Sequence, residues 1–236
     1  MTYIQAPADK RLVWYLAMEE YLAKQVDEEL FVTWIASPTV IFGRHQVMEA
    51  EVNVDFCRAN GIAMYRRKSG GGCVYADEGN LMMSMISPNK HSEVVFQQFL
   101  DKISDVLRHW GLPAVKSEHN DIMVEGKKVS GNACYALSTG TIVHGTMLVD
   151  VDLDMLQQAI TPSKEKLAKH GVKSVRQRVA NLARLVTNPQ LRTSTLVANR
   201  LSDALCLYQR ELTEQEIATI DRIEQSYLDP QFIVGK

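Results

Sequence analysis

Along residues 92–110 the apolar positions recur at intervals of three and four. Phe96, Phe99, Leu100, Ile103, Val106, Leu107 and Trp110 share one face of a 3.6-period helix. The spacing predicts a helix over Ser92–Trp110, with Ser92 as N-cap, Gly111 just past the C-terminus and Pro113 beyond the stop. A second stripe, Leu12, Tyr15 and Leu16, predicts a helix over about Lys10–Lys24. Short apolar runs follow at Leu30–Ala36, Val40–Gly43, Ile62–Tyr65 and Leu81–Ile86, each a strand candidate. Ser37-Pro38 reads as a turn, and Asn53 as the cap of a short helix that stops near Gly61. Further strands are expected at Ile122–Val124, Lys128–Tyr135 and Thr141–Val151, with Glu125-Gly126 as a tight hairpin turn. The rest reads as mostly helical, over Asp152–His170 and from Thr193 to about Tyr227. Strands interrupted by helices without strict alternation point to an α+β fold rather than a doubly wound sheet.

The chain has 236 residues, and 46% of them are hydrophobic. With no Pro/Gly/Ser-rich linker and no repeat, a single domain over residues 1–236 is expected, with a helical annex after Thr193. Lys and Arg number 26 against 28 Asp and Glu, a formal charge of −2, which argues against a general nucleic-acid binder. No apolar run approaches the roughly 20 residues of a membrane span. The opening MTYIQAPADK resembles neither a signal peptide nor a transit peptide, so a cytoplasmic protein is expected. Cys57, Cys73, Cys134 and Cys206 form no C-x-x-C pair, which disfavours zinc and redox pairing and leaves small buried residues as the reading.

Four stretches carry candidate chemistry. Arg66-Arg67-Lys68-Ser69-Gly70-Gly71-Gly72-Cys73-Val74-Tyr75 sets bare backbone beside three basic residues. Such a loop can hold a phosphate or carboxylate, or simply be a flexible turn between strands. It matches neither a Walker A loop nor a dinucleotide fingerprint. Lys128, opening an apolar run that continues Val129-Ser130-Gly131-Asn132-Ala133, is either a point charge in a cleft or a solvated hairpin lysine. Asn120-Asp121 offers a Mg²⁺ ligand or an Asx turn. His144-Gly145-Thr146 sits within a strand, where the glycine suggests close backbone approach.

Taken in order, these stretches resemble the lipoate–protein ligases. The carrying motifs are Arg66–Asn80 (RR-x-SGGG-x-VY-x-D-x-GN), Asn120–Ile122, Lys128–Ala133 and His144–Leu148. Ser163–Leu182, the N-terminal LAMEEYL and the terminal YLDPQFIVGK add to the likeness, which covers nearly the whole chain. The resemblance implies a fold like that of biotin–protein ligases and class II synthetases, with one large and one small mixed sheet flanked by helices. It implies that lipoate and MgATP give lipoyl-AMP, which acylates a lysine of an apo lipoyl domain. The implied acceptors are 2-oxoacid dehydrogenase complexes and the glycine cleavage H protein. It assigns Lys128 electrostatic stabilisation and Asp121 the Mg²⁺. It assigns ligand contacts to Arg67, Ser69, Gly70, Gly71, Gly72, Cys73, Val74, Tyr75, Asn80, Asn120, Ser130, Gly131, Ala133, His144 and Gly145. Val74, Val129 and Ala133 are expected to line an apolar slot, with Gly70–Gly72 as hinges of a closing loop.

Many bacterial ligases of this family carry a further accessory domain, and here the expectation is that a separate small protein supplies it, that it is dispensable, or that the chain transfers a preactivated acyl group. Octanoyl- and lipoyl-transferases of the same fold use a cysteine thioester. Their cysteine positions correspond here to Val115–His119 and Ile160–Ser163, which contain none. A lipoate-binding protein without turnover is a third reading. Ser163–Lys169 is either a docking surface for an acidic lipoyl domain or a solvated helix face.

Overall fold

The computed structural model describes residues 1–160 and 178–235. In chain order the elements are β1 (Thr2–Gln5), α1 (Leu12–Gln25), β2 (Leu30–Ile35), β3 (Thr39–Phe42), α2 (Met48–Glu51), α3 (Val54–Ala59), β4 (Ala63–Arg66), β5 (Cys73–Ala76) and β6 (Asn80–Ser87). There follow α4 (Ser92–His109), β7 (Ala114–Lys116), β8 (Asp121–Val124), β9 (Lys127–Ala136), β10 (Thr141–Leu148), α5 (Leu153–Ala159), α6 (Ser194–Leu205), β11 (Tyr208–Glu211), α7 (Glu214–Leu228) and α8 (Pro230–Val234). Strands β11-β1-β2-β6-β10-β9-β8-β7 form a large mixed sheet, and β4-β3-β5 a small one. This is the expected α+β architecture.

Strand β6 is buried along its whole length, so its sequence is apolar almost without interruption. Its residues alternate between two cores. Leu81, Met83 and Met85 pack with Phe31, Phe99, Ile103 and Leu201, under α4 and α6. Met82 and Ile86 pack on the opposite face with Ile4, Val32, Trp34 and Ile142, under α1 and α7. Helix α1 is buried from Leu12 through Ala23, which carries two carboxylates, Glu19 and Glu20, into the interior. A third cluster beneath the small sheet gathers Val40, Phe42, Cys57, Tyr75, Val151 and Leu156.

The strongly periodic helix is α4, ending at His109 with Gly111 in the left-handed region at φ 84°. Ser92 is its first helical residue rather than its cap: His91 holds that position without a side-chain bond, and its N–H donates instead to Asn89 Oδ1. Asn53 caps α3 through Phe56 N–H, and Glu125-Gly126 forms the hairpin turn with φ of 50° and 74°. The expected helix from Thr193 to Tyr227 is interrupted. Thr193 opens α6 and Thr213 opens α7 with a capping box to Glu216, while Tyr208–Glu211 between them forms β11. β11 is exposed throughout and has no local signal; it pairs in parallel with β1 from the other end of the chain, and β1 also pairs in parallel with β2. The helix expected over Asp152–His170 is α5 as far as Ala159, and residues 161–177 lie outside the described ones, as do Ser163–Lys169 and most of the ligase-like Ser163–Leu182. Among the described residues no helix is long and apolar enough to cross a membrane.

Phe99 is 1% exposed at the centre of the α4 contact. Phe99→Ala is expected to cost about 3–5 kcal/mol in a urea unfolding titration, through lost burial plus a cavity.

Candidate active site

Three basic residues precede the glycine loop, and the fold consumes each of them structurally. Arg66 is 3% exposed, and its guanidinium donates to the carbonyls of Gly43, Arg44 and Gln46 and to those of Phe232, Ile233 and Val234 in α8. Arg67 donates from Nε and Nη2 to the Gly70 carbonyl, from Nη2 to that of Gly72 at 2.8 Å and from Nη1 to that of Ile41. Burial lowers the Arg67 pKa to about 10, which leaves it charged at neutral pH. Lys68 pairs with Glu20 at 2.7 Å, its ammonium over the Tyr227 ring. Arg67 therefore reaches the site mainly as the support of its loop, because its fork is spent on loop carbonyls.

The loop itself needs glycine at specific points. Gly71 has φ 91°, and a Cβ there would lie 2.8 Å from Arg67 Nη2. Gly43 lets the loop lie flat, since its Cβ would stand 2.2 Å from the Gly71 carbonyl oxygen. With the carbonyls of Gly70 and Gly72 turned to Arg67, the N–H groups of Gly70, Gly71 and Gly72 find no acceptor among the described residues. Such groups suit an anion.

The facing wall comes from the β8–β9 hairpin. The register jumps from Ile122↔Ser130 to Met123↔Lys128, so Val129 is an extra residue and the bulge re-aims Lys128. Lys128 Nζ meets Asp121 Oδ1 at 2.7 Å across the space left by Gly131, whose Cβ would lie 2.5 Å from that nitrogen. Arg178 binds the other oxygen, Oδ2, of Asp121. It is delivered there by chain pairing: Lys128 bridges to Val179 and its carbonyl accepts from Ala180 N–H. Asp121 is 5% exposed, a buried carboxylate held between two cations.

Between these walls lies a cavity of about 280 Å³. Leu16, Ile41, Val74, Met82 and Ala133 supply apolar lining; Lys128, Asp121, Arg178, His119, Asn132, His144 and Thr146 supply polar lining. Of the residues singled out in the sequence, Arg67, Gly71, Gly72, Cys73, Val74, Asp121, Lys128, Gly131, Ala133, His144 and Gly145 border it. Ser69, Gly70, Tyr75, Asn80, Asn120 and Ser130 do not. Alternation along β5 sends Tyr75 into the third core, where Asn80 donates to its carbonyl. Ser69 is turned to His144, Ser130 to Asn132, and the Asn120 carbonyl accepts from Asn132. Val129, expected in the slot, is fully buried with the α4-side core.

Sequence reasoning missed Leu16, Ile41, Met82, His119, Asn132, Thr146 and Arg178. Asn132 and Thr146 sat within the quoted motifs, and Gly145 marks the place of Asn132, since a Cβ there would lie 2.0 Å from Asn132 Oδ1. As a Mg²⁺ site the arrangement fits poorly. Both Asp121 oxygens are taken by cations, and among the described residues no three His, Cys, Asp or Glu side chains gather around a metal position.

Burial pushes the Cys134 and Cys206 thiols up to about 11. A raised pKa means less thiolate at every pH below it. At pH 8 Cys134 is expected to alkylate with iodoacetamide about 100-fold more slowly than an unperturbed thiol, as read by peptide mass spectrometry.

The family described as the lipoyl protein ligase A/B catalytic domain matches residues 13–205. Lipoate-protein ligase LplJ of Bacillus subtilis (strain 168) is 34% identical over 219 residues, 89% of this chain and 66% of that protein. One part of a bi-partite lipoate protein ligase from Thermoplasma acidophilum, solved in a study with its E2 lipoyl domain, superposes with a TM-score of 0.84 at 27% identity, covering 99% of this chain and 96% of that one. A lipoate-protein ligase A bound with ATP gives a TM-score of 0.84 at 25% identity, covering 99% and 98%. The chain spans 54–66% of the lengths of LplJ and three further curated lipoate–protein ligases.

Proposed function

The chain belongs to the lipoyl protein ligase A/B catalytic-domain family, and from that premise we propose that it is a lipoate–protein ligase. In the first step a lipoate carboxylate oxygen attacks the α-phosphorus of ATP; a P–O bond forms and pyrophosphate leaves. In the second the amine of an acceptor lysine attacks the acyl carbon of lipoyl-AMP. An amide forms, AMP leaves, and the amine gives up a proton. The observation that carries this reading is an apolar-walled cavity bordered by Lys128 and Arg178 on one carboxylate.

The chemistry asks for both features. The lipoyl chain is apolar and needs a dry slot, which Leu16, Ile41, Val74, Met82 and Ala133 suit. The carboxylate and the nucleotide repel one another until fixed positive charge offsets them. A unit charge about 4 Å away at an effective dielectric near 20 contributes roughly 4 kcal/mol. Lys128 and Arg178, already held by Asp121, need no reorganisation to act in this way. Lys128 stabilises charge and is not the nucleophile. The N–H groups of Gly71 and Gly72 are assigned to an anionic group of lipoyl-AMP, with Arg67 as the support that turns them outward. Mg²⁺ would neutralise the phosphates of bound nucleotide, taking most of its ligands from them and from water. With Asp121 occupied as it is, no step here is routed through the metal.

The acceptors proposed are apo lipoyl domains of 2-oxoacid dehydrogenase complexes and the glycine cleavage H protein, in a cytoplasmic setting and with residues 1–236 acting as one catalytic domain. The bi-partite neighbour supports a second ligase chain as a further partner. The competing reading is acyl transfer from a carrier protein, favoured by Cys73 on the cavity wall.

Intact-mass spectrometry of an apo lipoyl domain decides between them. With lipoate and MgATP a lipoyl mass shift is expected, with or without a second ligase chain, and Lys128→Ala is expected to lower kcat/KM by about 10²–10³-fold. The variant with all four cysteines changed to serine is expected to keep this activity. A shift from octanoyl carrier protein without ATP, lost in that variant, would replace ligation by acyl transfer. Lipoate binding without any shift would make the chain a binding protein.

A further inference from the structure

Glu19 is a buried carboxylate that the reaction above does not use. Its side chain is 3% exposed, inside a helix whose neighbours are almost all apolar. Burying a carboxylate without compensation is costly, so its partners define its role. Oε1 accepts from Ser84 and Oε2 from His144 Nδ1 at 2.9 Å. Ser84 and His144 lie directly opposite one another on β6 and β10, and so face α1 together. The other ring nitrogen of His144, Nε2, lies 2.7 Å from Ser69 Oγ. Ser69 begins the glycine loop, and its carbonyl accepts from Arg44 N–H at 2.9 Å.

We propose that Glu19 is a positioning residue, which through His144 pins Ser69 and the root of the glycine loop to the large sheet. The acceptor at Nδ1 fixes a proton on that nitrogen and sets the ring plane, so that Nε2 meets the serine hydroxyl. One face of His144 also borders the cavity, so the group that anchors the loop is part of the wall the acyl chain meets. The order Ser–His–carboxylate is that of a hydrolytic triad. Here Ser69 is 2% exposed and its residue does not border the cavity, which makes the serine the tethered end of the chain rather than a nucleophile. The tether itself is independent of the reaction; its consequence for lipoate rests on the proposed function.

The test uses the full chain and the variants Glu19→Leu, Glu19→Gln and Ser69→Ala. Glutamine can still accept from His144 and donate to Ser84; leucine can do neither and leaves both partners without that acceptor, so Ser69→Ala carries the test where the leucine variant fails to fold. Ser69→Ala removes only the last link. Hydrogen exchange at the Arg44 amide reports whether the loop root stays docked. It is expected to quicken about five- to tenfold in Glu19→Leu and Ser69→Ala, and to stay within about twofold of wild type in Glu19→Gln. Calorimetric titration with lipoate alone is expected to show a weakened Kd in Glu19→Leu and Ser69→Ala and a Kd near that of wild type in Glu19→Gln. Unchanged Arg44 exchange in Ser69→Ala would overturn the tether, as would a glutamine variant as impaired as the leucine one. A covalent fluorophosphonate adduct on Ser69 would overturn it too, by making that residue a nucleophile. Wild-type protein that ignores lipoate while the exchange pattern holds would sink the ligase reading and uphold the tether.

Discussion

Two adjacent guanidinium groups, buried among backbone carbonyls, carry the geometry on which the site depends. Strand alternation sends Arg66 and Arg67 to different surroundings. Arg66 ties the small sheet to the Gly43–Gln46 turn and to the C-terminal end of α8. Arg67 gathers the carbonyls of Gly70 and Gly72. A buried guanidinium must satisfy its donors, and carbonyls can do so in directions that a carboxylate cannot cover. The cost of burying the two charges is offset by these hydrogen bonds, which also fix the shape of the loop.

That constraint relocates the electrostatics. The basic run before the glycine loop looked like the ligand-binding charge, but it is spent on carbonyls and on Glu20. On the facing wall the positive charge comes from Lys128 and Arg178, which both pair with Asp121. The two walls thus divide the work: one offers backbone N–H groups with no acceptor among the described residues, the other fixed cations. A bulge in β9 and the missing side chain of Gly131 put Lys128 in reach of Asp121. Small backbone irregularities, more than the regular sheet, aim the chemistry.

The apolar wall depends on the large sheet in a different way. Met82 lies on the α1 side of β6, Leu16 on α1 itself, and Ile41 pairs with Val74 across β3 and β5. These residues come from four elements and meet because the two sheets and α1 converge there. Their proximity to Glu19 and His144 links the cavity to the loop through one polar chain inside an apolar core.

The sequence alone determined what local physics can write. The three-four stripe of α4, the largely apolar run of β6, the Asn53 cap and the left-handed Glu125-Gly126 turn all follow from short-range rules, and each is present. The ordered motifs from Arg66 to Leu148 identified the family and most of the cavity wall, because backbone approach demands glycine and those glycines are visible in a string of letters. Tertiary structure alone decided the rest. β11 is a strand because β1 meets it from the opposite end of the chain, while β1 lies between β11 and β2. Tyr75 and Val129 lie outside the cavity because strand alternation and a one-residue bulge turned them into cores. Arg178 entered it because Val179 pairs with Lys128. Motif spacing records which residue types are near in sequence; the direction each side chain takes is set by register, and register is a property of partners far away along the chain.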